Sequence, residues 1–230
     1  FLKICSCAIL FFILGCTHQH DIISIPEIPT IKEKYYIKLR LVIETHGENC
    51  AISADNVFDN IRGFNEAFCD PEVELVIQNV DFQELNIPDY VSIREVDEYL
   101  SPESKSYDEY ITIYYLMPRR IYLDQALPGY IAGMGSLPIH NSHYVFVIPY
   151  FADNFIFAHE MGHCAGGLLH TFDVDDFCDD TPMQIAPSID NTNIMDYSAN
   201  PIRQFTDNQR QRFKKTLLEH HGNRIVHLKY

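Results

Sequence analysis

Basic residues are scarce in this chain of 230 residues. Only 17 lysines and arginines stand against 32 aspartates and glutamates, a formal net charge of −15 at neutral pH. A nucleic-acid partner requires a basic face to neutralise phosphates, so the balance argues against that class of function. The acidic balance itself suits any soluble, solvated surface and names no ligand. Long apolar runs are missing as well. The N-terminal run from Ile4 to Leu14 falls well short of the roughly 20 residues a membrane-spanning helix needs. Internal repeats and low-complexity blocks are absent, and apolar residues at 47% make the chain too apolar for disorder. The length allows one substantial domain, or two lobes around a cleft.

The first stretch, "FLKICSCAILFFILGC", places one lysine before the short apolar run and fits a secretory signal. Its ending, "ILGC", resembles a bacterial lipobox, in which cleavage before Cys16 leaves that thiol to carry lipid. Residues 1–15 are therefore expected to be a lipoprotein signal peptide, with an ordinary signal peptide cut elsewhere as the alternative, and residues 16–34 a tether. Residues 35–230 would form the folded domain, anchored to the cell envelope on its periplasmic or outer-surface face. The tether, "THQHDIISIPEIPTIKEK", contains two prolines and shows no helical period. Cys5 and Cys7 leave with the signal, so Cys50, Cys69, Cys164 and Cys178 would face an oxidising compartment. Four cysteines allow three pairings. The most local, Cys50–Cys69 and Cys164–Cys178, is the expectation, with free buried thiols as the alternative.

Along the domain, "YYIKLRLVIE" has the β-branched and aromatic content of a strand, and "VELVIQNV", "YITIYYLM" and "HYVFVI" read the same way. From Ser53, the residues Val57, Ile61, Phe64 and Phe68 share one helical face, with Ser53 or Asp55 as cap. A short helix is expected around Ile93 to Leu100. "LPGYIAGMGSLP", rich in Gly and Pro, reads as an irregular edge strand bordering a cleft. In "FTDNQRQRFKKTLLEHH", Thr206 and Gln209 form a capping box, and Phe213 and Leu217 an apolar stripe on a closing helix. Strands alternating with helices indicate a twisted mixed sheet with helices packed on it.

The stretch "AHEMGHCAGGLLHTF" carries the chemistry. His159 and His163 stand four residues apart, so on a helix both imidazoles project from one face and can hold one ion. Glu160 is adjacent, free to reach a zinc-bound water and take its proton. Zinc lowers the pKa of such a water to about 7, which makes a nucleophile available near neutrality. Gly166 lies where the helix must stop, and a residue without Cβ eases that turn. The residue at the usual third-ligand position is Leu169, which cannot coordinate; His170 follows it. Gly167 adds a second permissive residue, and past the helix end one extra residue can be absorbed as a bulge. His170 is thus the expected third ligand, and a two-histidine site is the alternative.

These residues resemble the long zinc consensus of the metzincin peptidases. "CDDTP", "NIMDYS" and "QFTDNQRQRF" resemble its pappalysin-like branch in order and spacing. The resemblance covers about the last third of the chain and departs from the family in the one extra residue before His170. It implies an α+β fold with an upper lobe of twisted mixed sheet and two main helices (35–166). An irregular lower lobe ending in a helix (167–230) would follow, with the cleft between. It implies zinc held by His159, His163 and His170, Glu160 as general base and later proton donor, and Met195 as an apolar floor under the ligands. Tyr197 would hydrogen-bond the oxyanion. The acidic run Asp173–Asp180 would be a calcium site or a solvated loop, and Asp180, in "DTP", would organise the loop after the third ligand. The implied function is a lipid-anchored zinc endopeptidase acting on protein or peptide substrates. A surface binding lipoprotein that keeps the fold without turnover is the alternative, and a zinc hydrolase of other amides a third.

Overall fold

The computed structural model describes residues 33–122, 131–138, 142–153, 155–171, 178, 192–196 and 203–229. Among them, nine strands and four helices follow in the order β1 (Glu33–His46), β2 (Asn49–Cys50), α1 (Ala54–Phe68), β3 (Val73–Gln83), β4 (Tyr90–Ser92), α2 (Ile93–Ser106) and β5 (Ile111–Tyr115). Then come β6 (Arg120–Tyr122), β7 (Gly133–Gly135), β8 (Tyr144–Val147), α3 (Ile156–Cys164), α4 (Asp207–His220) and β9 (Ile225–Lys229). The signal and residues 16–32 of the tether lie outside the described residues. Glu33 and Lys34, expected as tether, already belong to β1.

β1 is the axis of a seven-stranded mixed sheet. It pairs in parallel with β3 along one side and with β5 along part of the other, while β9 runs antiparallel to its first half. The sheet continues in parallel from β5 to β8 and ends in the antiparallel edge strand β7. Alternation along the strands divides the core in two. Ile37, Leu39, Leu41, Ile43, Ile113, Val145 and Val147 face α1, α3 and α4. Val42, Tyr114, Leu116, Tyr144 and Phe146 face α2. Covering a parallel sheet on both faces is what makes its strands nearly continuous in apolar residues.

α1 and α4 begin at the caps expected from the sequence. Ser53 Oγ accepts from Asn56 N–H at 3.3 Å. Thr206 and Gln209 close a reciprocal capping box on α4, and Ser92 and Glu95 another on α2. α2 runs past Leu100 to Ser106, longer than its apolar residues indicate. The fully buried Arg40 accounts for part of that length. It donates to Asp81 Oδ2 at 2.7 Å and to Glu103 Oε1 of α2 at 2.8 Å, and lies over the Tyr107 ring at 3.7 Å. On the opposite face Phe64, Phe68, Phe157, Phe205 and Phe213 join α1, α3 and α4 in one aromatic cluster. Each such ring contributes roughly 1.5–3 kcal/mol by burial, and together they form the bed on which α3 rests.

Beyond α4 the chain continues through a 3-10 turn, Gly222–Arg224, into β9, so the closing helix is followed by one more strand of the sheet. The cysteine expectation needs correction, because Cys50, Cys69, Cys164 and Cys178 form no disulfide. Topology gives the reason for the first pair. Cys50 lies opposite Thr45, whereas Cys69 precedes Val73, which lies opposite Tyr35 at the other end of β1. Ten strand residues separate those ends by about 33 Å. Cys164 packs its Sγ 3.9 Å from Ser136 Oγ, and burial pushes its thiol up to about 12, which keeps it protonated.

Candidate metal centre

α3 is apolar on nearly every side, and every residue from Phe157 to Cys164 is buried. Its start is fixed by Asp153, whose Oδ1 accepts from the N–H groups of Phe155 and Ile156 at 2.9 and 3.1 Å. Its approach to the sheet depends on two glycines of β7. A Cβ on Gly133 would stand 2.9 Å from Ile156 Cγ2, and one on Gly135 only 2.1 Å from the Glu160 carbonyl oxygen. Bare backbone at those positions lets the helix settle directly on the edge strand. The polar groups of α3 therefore open into a narrow crevice, with His159 at 6%, Glu160 at 7% and His163 at 7% exposure.

The three histidines expected as ligands converge. Their Nε2 atoms lie 3.2 Å apart for His159 and His163, 3.2 Å for His163 and His170, and 3.3 Å for His159 and His170. A tetrahedral ion with bonds of about 2.0–2.1 Å to nitrogen requires its ligands to stand about 3.3–3.4 Å from one another. The triangle has the size such an ion takes. Two of the rings are also fixed from behind. His159 Nδ1–H donates to the Ile194 carbonyl and His163 Nδ1–H to the Leu168 carbonyl, both at 2.7 Å. With the proton on Nδ1, each Nε2 presents its lone pair to the shared point, the arrangement that orients metal-binding imidazoles. Burial, followed by the charge of His163, holds His159 well below the ordinary histidine range, so its neutral form prevails.

The residue in excess of the usual spacing is accommodated at the end of α3. The N–H groups of Ala165 and Gly166 both point to the Met161 carbonyl, at 2.8 and 3.4 Å. Two donors on one acceptor widen the last turn by a residue. Leu168 N–H then reaches back to the Gly162 carbonyl at 3.0 Å, across Gly167 in a left-handed conformation at φ 58°. Gly167, rather than Gly166, is the residue whose backbone conformation favours glycine. Gly166 is needed for space, since a Cβ there would stand 2.5 Å from the Phe213 ring.

Met195 is fully buried beneath α3, and a Cβ on Gly162 would meet its sulfur at 2.5 Å. The turn that carries it is held on several sides. Asn193 Oδ1 accepts from Met195 N–H at 2.9 Å, Ile194 N–H donates to the Gln204 carbonyl at 3.0 Å, and Thr171 N–H donates to the Met195 carbonyl at 3.3 Å. One turn thus touches His159 through Ile194 and the segment after His170 through Thr171. Glu160 stands apart from the histidine triangle. Burial pushes its carboxyl up to about 8, and a hydrogen bond from the Gly135 N–H works against that rise.

Tyr197, Asp180 and the rest of the acidic run from Asp173, apart from Cys178, lie outside the described residues. Among the described residues no other cluster of histidine, cysteine and carboxylate side chains has the spacing of a metal site. Sequence reasoning missed Gly133 and Gly135, although it placed an edge strand there; two glycines flanking one residue in a strand are the signal of close backbone approach. The carbonyls of Ile194 and Leu168 left no trace in the sequence, because any residue supplies one.

No protein-family model matches the chain, and no curated protein matches its sequence. Solved structures do match. A structure of mirolysin in complex with a small compound is similar at a TM-score of 0.59 and 16% identity, over 83% of this chain and 94% of that one. Mature mirolysin of Tannerella forsythia in complex with a cleaved peptide is similar at 0.58 and 17%, over 79% and 90%. Archaemetzincin of Methanopyrus kandleri is similar at 0.49 and 16%, over 80% and 96%. At such identities the likeness establishes the fold alone, which is α+β and shared with mirolysin, with a mixed sheet and four helices among the described residues.

Proposed function

We propose that this chain is a zinc-dependent endopeptidase of the pappalysin-like kind, hydrolysing peptide bonds in protein substrates. His159, His163 and His170 would hold the metal and Glu160 would serve as general base. The observation that carries this reading is the triangle of Nε2 atoms 3.2–3.3 Å on a side. Beside it, on the same helix, stands a carboxylate that takes no part in the triangle. When bound, zinc supplies Lewis acidity to a water molecule and to the scissile carbonyl.

The chain's own groups do the rest. Glu160, raised to about 8 by burial, needs only a nearby positive charge to come down to neutral range. There it can take a proton from the attacking water and return it to the leaving amine nitrogen. Among the described residues β7 has a strand partner on one side only, and its other edge suits an extended peptide. Ser136 N–H bonds the Tyr144 carbonyl of β8 and the Ala132 carbonyl accepts from Ile148 just beyond it, so Gly133 turns its backbone groups, and Gly135 its carbonyl, to the outer edge, while the Gly135 N–H is taken by Glu160. A substrate strand can add to such an edge. Mature mirolysin, which shares the fold, is in complex with a cleaved peptide.

Casein hydrolysis tests the reading. Wild type cleaves, a zinc chelator stops cleavage and added zinc restores it, while Glu160→Ala retains zinc and loses activity. Zinc-loaded wild type and variant that are equally inert would instead make this a surface binding protein. The apolar run and Cys16 extend the proposal to location, as a lipoprotein anchored to the cell envelope. Mass spectrometry of the full chain from membranes should find a diacylglyceryl thioether on Cys16; an unmodified thiol there rejects the anchor.

A further inference from the structure

The turn after α3 takes part of its hydrogen bonding from outside the helix. Its N–H groups are satisfied by carbonyls inside the helix, but the carbonyls of its last residues point outward and away from any helical partner, as at every helix end. Three of them are taken by side chains of α4 and its C-cap. His221 Nε2–H donates to the Cys164 carbonyl at 3.0 Å, and Thr216 Oγ1–H to the Gly166 carbonyl at 2.9 Å. Arg212 directs Nε and Nη2 to the Gly167 carbonyl at 3.4 and 3.3 Å. Phe213, on the same face of α4, fills the space above Gly166. These residues lie about fifty positions downstream, and two of the three bonds are buried.

We infer that α4 is a positioning element for the third histidine, with Arg212, Thr216 and His221 fixing the widened turn that delivers His170 to the other two rings. This rests on the reading of the three histidines as ligands. The widened turn is where the chain departs from the usual spacing, and a bulge of this kind has more than one way to fold. Its own backbone bonds leave Gly166 and Gly167 carbonyls without partners, and α4 supplies them. The site's geometry is then set by the docking of the closing helix. The apolar stripe of Phe213 and Leu217 provides the docking, and the polar residues between them provide the register.

The test is a double-mutant cycle on zinc affinity, measured by chelator competition at a temperature where each variant is folded by circular dichroism. Loss of a hydrogen-bonding partner behind a ligand typically lowers metal affinity 10- to 100-fold. Thr216→Val, which removes the hydroxyl and keeps the shape, should weaken zinc binding about tenfold. Thr216→Ser should restore it. In a His170→Ala background the same Thr216→Val change should have little effect, because the ligand it positions is gone. His221→Leu should behave as Thr216→Val, and His221→Gln, which keeps a donor, should not. An equal loss in both backgrounds, or no loss in either, overturns the inference. Wild-type protein that takes up no zinc overturns the ligand assignment itself, whereas zinc-loaded wild type with an unaffected Thr216→Val rejects only the role of α4.

Discussion

His159 Nδ1 lies 2.7 Å from the carbonyl oxygen of Ile194, thirty-five residues further along the chain. The neighbour of Ile194 is Met195, whose sulfur lies against Gly162 on the same helix as His159. One short turn thus orients a ring and fills the space beneath it. His163 is oriented in the same way by the Leu168 carbonyl, so backbone atoms on two separate segments decide which nitrogen faces the shared point.

Asn193 is the residue that holds the first of these turns, through its Oδ1 and Met195 N–H at 2.9 Å. Asn193→Ala leaves that N–H buried without a partner, a cost of roughly 1–3 kcal/mol in urea unfolding. Because the turn also carries the Ile194 carbonyl, zinc affinity should fall about tenfold. Chelator competition on the folded variant checks this. Stability lost with affinity unchanged would mean that the turn supports the fold and does not orient His159.

Gly135→Ala should be among the most damaging single changes in the domain. The new Cβ would stand 2.1 Å from the backbone oxygen of Glu160, an atom that cannot rotate away. The helix must lift off the edge strand, at a cost of roughly 3 kcal/mol or more. The matching control is Gly222→Ala, where nothing lies within 4 Å of the added carbon; its effect should stay within about 0.5 kcal/mol. Thermal unfolding of the two variants side by side settles the comparison.

Much of this architecture was legible because its signals are local. Ser53, Thr206 and Gln209 announce helix starts, and His159 with His163 announces a shared helical face, each within a few residues. The β-branched and aromatic content of "YYIKLRLVIE" marks β1 as a strand. What escaped is set by partners far away in sequence. Arg212, Thr216 and His221 look like ordinary helix residues until the carbonyls they meet are known. Nothing in "IVHLK" distinguishes β9 from a loose tail, because its pairing with β1 is decided by the sheet. The cysteine pairing failed for the same reason. Proximity in sequence suggested Cys50 with Cys69, but α1 carries the chain from one end of β1 to the other between them.

Acid should destabilise the domain through two histidines that are not ligands. His143 and His221 meet edge to face, with ring centroids 4.9 Å apart. Burial, followed by the charge of Arg224, pushes His143 down to about 4, and burial, followed by the charges of His143 and Arg224, pushes His221 down to about 3. An unfolded histidine titrates near 6.5. Below that value the unfolded chain binds protons that the folded one refuses, so stability falls as pH drops from about 6.5 toward 4 and 3. The pair should cost roughly 2–4 kcal/mol at pH 5 relative to pH 7.5, where both rings are neutral in either state. Urea unfolding of chelated wild type and His221→Gln at the two pH values isolates the share of His221, because Glu160 and the other titrating groups are common to both. His221→Gln, which cannot be protonated, should lose roughly 1–2 kcal/mol less than wild type between pH 7.5 and pH 5, and equal losses would place the acid sensitivity elsewhere.

Glu160→Gln separates the proton-transfer role of this residue from its place in the structure. The amide keeps the shape, and its oxygen can still accept from the Gly135 N–H, so zinc content should not change. A general base typically contributes about 10²–10⁴-fold, and kcat on casein should fall by that factor. Stability should move in the opposite direction. Burial raises the Glu160 carboxyl to about 8, so between about 4.5 and 8 the folded, metal-free chain holds a proton that the unfolded chain has released. Its stability therefore declines as pH rises through that window. Gln carries no charge and removes the decline. Chelated Glu160→Gln should match wild type at pH 4.5 and exceed it by roughly 2–4 kcal/mol at pH 8.5. A variant that loses activity together with zinc, or gains nothing at alkaline pH, would show that the carboxylate holds the site together instead of serving as its base.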